Sequence, residues 1–248
     1  MIKFAYLLWA RKEMTPAQRG EILLETCAPQ ILEIGVAGLQ MNIADHLATT
    51  PSPAPTPLFS EPFIAQVNLW LDDETLRSDC EDVLRHAGFE LQGYRVDEWL
   101  YTEYGENPNA PAPRDWADGE RSPGVLSVNI LRKPKRVPRD KWMRRWFGHQ
   151  SPMSEWMQPR ARYVRNVVEE RVTPGTDWCD GIVEESWPSG EHVTNQKLFY
   201  GAKNNLQYIK HFGIMMKSVV GILNLWNITT VMTSEYIIKT PPQNTSKN

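Results

Sequence analysis

Val125-Leu-Ser-Val-Asn-Ile-Leu-Arg-Lys133 is an apolar run that stops on two basic residues, and Met1-Ile-Lys-Phe-Ala-Tyr-Leu-Leu-Trp-Ala-Arg-Lys12 has the same shape. Apolar side chains fall on both alternating faces of each run, as in a strand buried on both sides. Thr15-Pro16 follows the first run, a helix start with Thr as N-cap and Pro at the first helical position, and Pro138 opens the segment after the second. Eleven residues after Pro16 stands Cys27, followed by Pro29; eleven after Pro138 stands His149, followed by Pro152. The spacing predicts two copies of one unit, each about half the chain.

Working outward, Phe63 to Asp72 and Gly181 to Trp187 are strand-like runs that each lead to a helix. Asp72-Asp73 caps Glu74 to Arg85, which Gly88 ends, and Asn204 to Leu223 has apolar residues at helical spacing. Phe89 to Tyr101 and Ile228 to Ile238 close the copies as strands. The shared order of strand, helix, strand, strand, helix, strand is the ferredoxin-like split βαβ unit. The expected fold is therefore α+β, with tandem ferredoxin-like units whose antiparallel sheets pack face to face to enclose one barrel. The expected division is a first unit over 1–104, an inter-repeat loop over 105–123, a second unit over 124–240 and a flexible tail over 241–248. The Pro-rich stretch Thr50 to Pro62 and the inter-repeat segment are long for structureless loops, which fits a lid, a partner contact or simple mobility.

Composition narrows the function classes. The 248 residues carry 27 Lys and Arg against 30 Asp and Glu, a net charge of -3, without the basic excess of a nucleic-acid binder. Cys27, Cys80 and Cys179 show no metal-ligand or disulfide spacing and fit a reducing cytoplasm. The longest apolar stretch, Phe212 to Trp226, contains Lys217 and is shorter than the roughly 20 residues that cross a bilayer, so no membrane association is expected. No phosphate-cradling, nucleophile-elbow or zinc-protease sequence occurs, and no metal or cofactor is expected.

His149 is the natural proton-transfer group, since only histidine titrates near neutrality unperturbed; the alternative is a surface histidine bonded to a backbone carbonyl. Tyr163 and Asn166, three apart, read as one helical face offering a phenol and an amide to a substrate oxygen, or else as a buried hydrogen-bonded pair. Asp180, Glu184 and Ser186 alternate along one strand face, where a carboxylate could assist His149 or simply face solvent. Among the 10 tryptophans, Trp142, Trp146 and Trp156 recur at near-helical spacing, as core or as a flat apolar wall for an aromatic ligand.

Several of these residues resemble the EthD family of the dimeric α/β-barrel superfamily. Met1 to Lys12 with Thr15-Pro16 resembles its opening, and Trp146-Phe-Gly-His149-Gln-Ser-Pro152 its first-helix tryptophan, histidine and proline. Arg162-Tyr163-Val-Arg-Asn166 resembles the element that follows, Asp180-Gly181 with Glu184 the start of the third strand, and Glu235-Tyr236 the closing strand. Cys27 stands where the first copy would carry the histidine, which implies one competent pocket and one degenerate or structural pocket. The resemblance implies catalytic roles for His149, Tyr163 and Asn166 and substrate contacts from Trp146, Asp180, Glu184, Trp187 and Tyr6. It also implies a cofactor-independent lyase or isomerase, such as a decarboxylase, dehydratase or cyclase, acting on an aromatic or polyketide-like small molecule, in a cytoplasmic chain that forms a homodimer or stays monomeric. The rival is a non-catalytic accessory or binding protein of a catabolic operon.

Overall fold

The computed structural model describes residues 1–54, 61–223 and 228–242, so most of the expected tail and part of the Pro-rich stretch lie outside the described residues. The strands are β1 (Ile2–Ala10), β2 (Gly38–Ile43), β3 (Ala65–Leu71), β4 (Phe89–Thr102), β5 (Val125–Leu131), β6 (Arg162–Arg171), β7 (Gly181–Trp187) and β8 (Thr229–Lys239). They close into one antiparallel barrel in the order β1-β3-β2-β8-β5-β7-β6-β4. The first four strands run β4-β1-β3-β2 and the last four β8-β5-β7-β6, the same order in both halves. The halves therefore join edge to edge, through β2 on β8 and β4 on β6, as one continuous sheet with no free edge to template aggregation. This corrects the face-to-face packing of two separate sheets: the strands' second apolar face is buried inside a closed cylinder.

Helices α1 (Pro16–Glu21), α2 (Ala28–Ile34) and α3 (Arg77–His86) cover the outside of the first half, and α4 (Arg139–Arg145), α5 (Ser151–Met157), α6 (Glu191–Thr194), α7 (Gln196–Phe199) and α8 (Asn205–Ile222) that of the second. Thr15 caps α1 in a capping box with Gln18, with Pro16 in the first turn. Between α1 and α2 the chain makes a π-helical turn, Ile22–Cys27, closed by Ala28 N on Leu23 O. The turn between α4 and α5, Trp146–Gln150, is closed likewise by Ser151 N on Trp146 O. These closures set the register of the repeat: Leu23 matches Trp146, Cys27 matches Gln150, and Pro29 matches Pro152. Among the described residues no helix is long and apolar enough to cross a membrane.

Strand alternation sorts the side chains. Ala5, Leu7, Tyr94, Val96, Leu126, Val128, Ile130, Val168 and Ile182 meet inside the barrel, from strands of both halves. The rest of the lumen is polar, centred on Glu184 and Glu235. On the outside of the first half Phe4, Tyr6, Leu8, Met41, Val67 and Leu69 pack against Leu23, Cys27 and Ile31 in a closed core.

Candidate functional site

The outer face of the second half is built differently. In matched register, β5 presents Ser127 and Asn129 where β1 presents Phe4 and Tyr6, and β7 presents Glu185 where β3 presents Leu69. Replacing rings and branched aliphatics by short polar side chains leaves the helices standing off the sheet. A cavity of about 700 Å³ fills the gap between this sheet and α5 to α8.

Its walls are largely aromatic and sulfur-bearing, with Trp146, Trp187, Phe199, Tyr200, Met215 and Met216 prominent. Trp187 stacks on Phe199 with ring centroids 5.0 Å apart and donates its indole N–H to Ser127 Oγ at 3.3 Å. Trp146 packs closely on the start of β7 because Gly181 has no side chain: a Cβ there would come within 2.7 Å of the indole. The Trp146 N–H donates to the Tyr163 hydroxyl at 3.2 Å, and Ser151 Oγ lies 3.4 Å from the same oxygen.

The polar end centres on Glu185. Arg160 Nη1 donates to its Oε1 at 2.7 Å and Asn129 Nδ2 to its Oε2 at 3.1 Å. The Arg160 guanidinium lies 3.9 Å over the Tyr163 ring and also donates from Nη2 to Ser154 Oγ at 3.0 Å and to Glu155. Burial works against its charge, but Glu185, Tyr163 and Glu155 outweigh that and raise its pKa, so the guanidinium stays charged.

The structure distributes the sequence-predicted residues among several places. Trp146, Tyr163 and Trp187 line the cavity together. Asn166 does not join Tyr163: both lie on β6, where residues three apart point to opposite faces, so the reading of a shared helical face is corrected. Tyr163 faces the helices, whereas Asn166 enters the lumen and donates to Glu184 Oε1 at 2.8 Å. Glu184 and Ser186 are buried there too, which overturns the solvent-facing alternative for that strand face. Asp180 stops short of β7 and accepts from the Lys133 backbone N–H at 2.8 Å and from Trp178. Tyr6 belongs to the closed core of the first half and donates to Glu81 at 3.0 Å. His149 is exposed on the outer side of its π turn, and Trp146 and Gln150 are the residues of that turn that line the cavity. Trp142 and Trp146 are buried, while Trp156 is 65% exposed.

Sequence reasoning missed Ser127, Asn129, Gln150, Arg160 and Glu185. The signal for the first two lay in comparing β1 with β5 position by position, where aromatic residues give way to small polar ones.

Inside the barrel, Glu184 accepts from Gln40, Gln66, Asn68 and Asn166, with Lys3 Nζ 3.6 Å away. Burial alone would raise its carboxyl pKa; Lys3, Arg162 and the amides of Asn68 and Asn166 outweigh burial and hold it below the ordinary range. Glu235 goes the other way, raised by burial against the pull of Arg162. Among the described residues no three His, Cys, Asp or Glu side chains converge as metal ligands.

No family model matches the chain, and no curated protein does. Among solved structures, an anthrone oxidase-like protein superposes with a TM-score of 0.52 at 8% identity, covering 98% of this chain and 96% of that one. A chlorite dismutase candidate superposes at 0.45, with 6% identity and 96% of both chains covered. A DyP-type peroxidase candidate from Shewanella oneidensis superposes at 0.40, with 9% identity, over 96% of this chain and 92% of that one. The first of these likenesses shows the fold alone, an α+β one with a closed antiparallel barrel.

Proposed function

We propose that this chain is a cofactor-independent enzyme of the EthD type, made of two tandem ferredoxin-like units, that performs proton transfer on an aromatic or polyketide-like small molecule held in the second unit. The observation that carries this reading is the cavity itself, about 700 Å³ with a wall of flat rings and one ion-paired carboxylate at its polar end. Cavities of that size, mostly apolar with a few fixed polar groups, are the usual form of small-molecule sites. The strand order shared by both halves supports the tandem units, and the likeness to an anthrone oxidase-like protein supports the superfamily. Three buried free thiols suit a cytoplasmic chain.

In this reading Glu185 is the base and Tyr163 the hydrogen-bond donor. Arg160 and Asn129 fix the orientation of the Glu185 carboxylate, which then accepts a proton from a carbon next to a substrate carbonyl. The Tyr163 hydroxyl accepts from Trp146 and keeps its own proton for the oxygen on which negative charge develops. The proton then returns to carbon elsewhere, or follows loss of a leaving group, which gives isomerase or lyase outcomes. His149 takes no part, because its side chain faces solvent.

The test is a panel of hydroxyaromatic and β-keto acid compounds, with binding followed by tryptophan fluorescence and turnover by absorbance. Glu185→Gln should keep binding within about threefold and lose turnover by roughly a hundredfold or more. His149→Ala should keep both. The reverse pattern would refute the assignment. A non-catalytic binding protein is the second reading, favoured because Glu185 is already fully paired and no histidine lines the cavity among the described residues. Tight binding across the panel with no turnover in the parent would establish it.

A further inference from the structure

We infer that Gln150 is the residue that selects the ligand, and that it selects molecules presenting a hydroxyl or N–H group to its amide oxygen. The inference rests on the reading that the cavity takes a small molecule, and it names the chemistry that molecule must carry. Gln150 is 8% exposed and lines the cavity, yet its Oε1 has no hydrogen-bond partner. A buried acceptor left unmade is costly, and native proteins keep few of them without a reason.

The other end of the amide explains which atom is free. Gln150 Nε2 lies 3.3 Å from Met215 Sδ, a weak acceptor. Turning the amide over would set the carbonyl oxygen against the lone pairs of the thioether and expose N–H groups to the cavity instead. The oxygen is therefore the unpartnered atom; it lies buried at the cavity wall, so the Gln150 side chain must turn outward to take a donor from a ligand.

Two further observations place the residue. Gln150 ends the π turn, and such turns in helices are frequent at functional sites because they push a side chain off the regular helical stripe. The equivalent turn of the first half puts Cys27 at this position, fully buried in an apolar core. Of the two matched positions, the polar one is the one that lines the cavity. Gln150 and Ser154 are one helical turn apart, about 6 Å between their Cβ atoms. Ser154 in turn holds Arg160, whose Nε is also buried without a partner. A ligand with a hydroxyl on Gln150 and an oxygen acceptor about one helical turn away, toward Arg160, satisfies both atoms.

The experiment compares 1-naphthol with 1-methoxynaphthalene, which differ in the donor and share the ring, by tryptophan fluorescence titration. The parent should bind the naphthol about tenfold or more tightly, as expected for one hydrogen bond to a buried acceptor. Gln150→Leu and Gln150→Cys, the second installing the first half's own residue, should bind both compounds equally, with affinity for the ether within threefold of the parent. Either variant that folds suffices. Persistent preference for the naphthol in a folded variant, or none in the parent, would overturn the assignment of Gln150 while leaving the cavity as the binding site. If the parent binds neither compound, or Ser127→Phe leaves the binding of both unchanged, the cavity reading fails and this inference with it.

Discussion

Glu184 and Glu185 are sequence neighbours on β7 with opposite surroundings, so removing Glu184 should damage the fold and spare the ligand. Its carboxylate accepts from Gln40 and Gln66 at 3.1 Å, Asn68 at 2.9 Å and Asn166 at 2.8 Å, and Lys3 stands 3.6 Å away. Glu184→Ala leaves four amides and an ammonium without their shared acceptor in a lumen that is otherwise packed. Lys3 keeps Glu98 at 2.7 Å, which moderates the loss. Breaking a buried charge network by removing one partner costs about 3–5 kcal/mol. For a domain of this size that corresponds to a fall in Tm on the order of 10 °C. Glu184→Gln is not a silent replacement, since its own N–H group would meet the donors of the surrounding amides, and it should fall between the parent and Glu184→Ala. Thermal and urea unfolding, followed by circular dichroism, measure the loss, and ligand titration of the folded fraction should stay within threefold of the parent. A change in stability below about 1 kcal/mol would refute the structural role, as would a large loss of affinity at unchanged stability.

Ser127→Phe places in the second half the ring that Phe4 supplies in the first. It gives up three weak side-chain hydrogen bonds, about 1 kcal/mol each, and buries an aromatic ring worth about 2 kcal/mol, so stability should fall by only about 1 kcal/mol while ligand affinity falls at least tenfold; unchanged affinity would show that ligands bind elsewhere. Glu235 has its folded pKa raised, mainly by burial, so its protonated form contributes stability that is fully present below the unfolded carboxylate value and lost as pH rises through the folded value. Compared with Glu235→Gln by urea unfolding, the parent should therefore be relatively more stable at about pH 5 than at about pH 8, and a flat or opposite difference would contradict the assignment.

Much of the architecture was legible because burial on both sides writes itself into a strand as a run without polar alternation. Val125–Leu131 and Gly181–Trp187 form strands with the ends their patterns predict, and the helices after Asp73 and Asn204 start at those caps. The segment Arg162–Arg171 was harder. Its polar residues Arg162, Arg165 and Asn166 imitate a helical stripe, but in a closed barrel a strand can send polar groups inward to a lumen network and outward to a cavity. Both faces of β6 then carry polar residues, and alternation no longer signals inside and outside. The β-branched Val164, Val167 and Val168 were the better guide.

The site was less legible, and one residue of register accounts for much of that. Pro16 is the first residue of α1, after the N-cap Thr15, whereas Pro138 is itself the N-cap of α4. Counting from both prolines as equivalents pairs Cys27 with His149; the π-turn closures pair it with Gln150. One residue on a helix is a rotation of about 100°, enough to exchange a side chain that faces the sheet for one that faces water. In the correct register the two halves differ at a few matched points: Phe4 against Ser127, Tyr6 against Asn129, Leu69 against Glu185 and Cys27 against Gln150. The ring exchanges remove apolar volume between helix and sheet, each exchange places a polar side chain there, and all of them fall on one face of one half. Scattered drift would have placed such losses on both halves or in the lumen, where they would be uncompensated cavities. Their concentration opposite intact aromatic walls is the pattern on which the proposed small-molecule site in the second half rests.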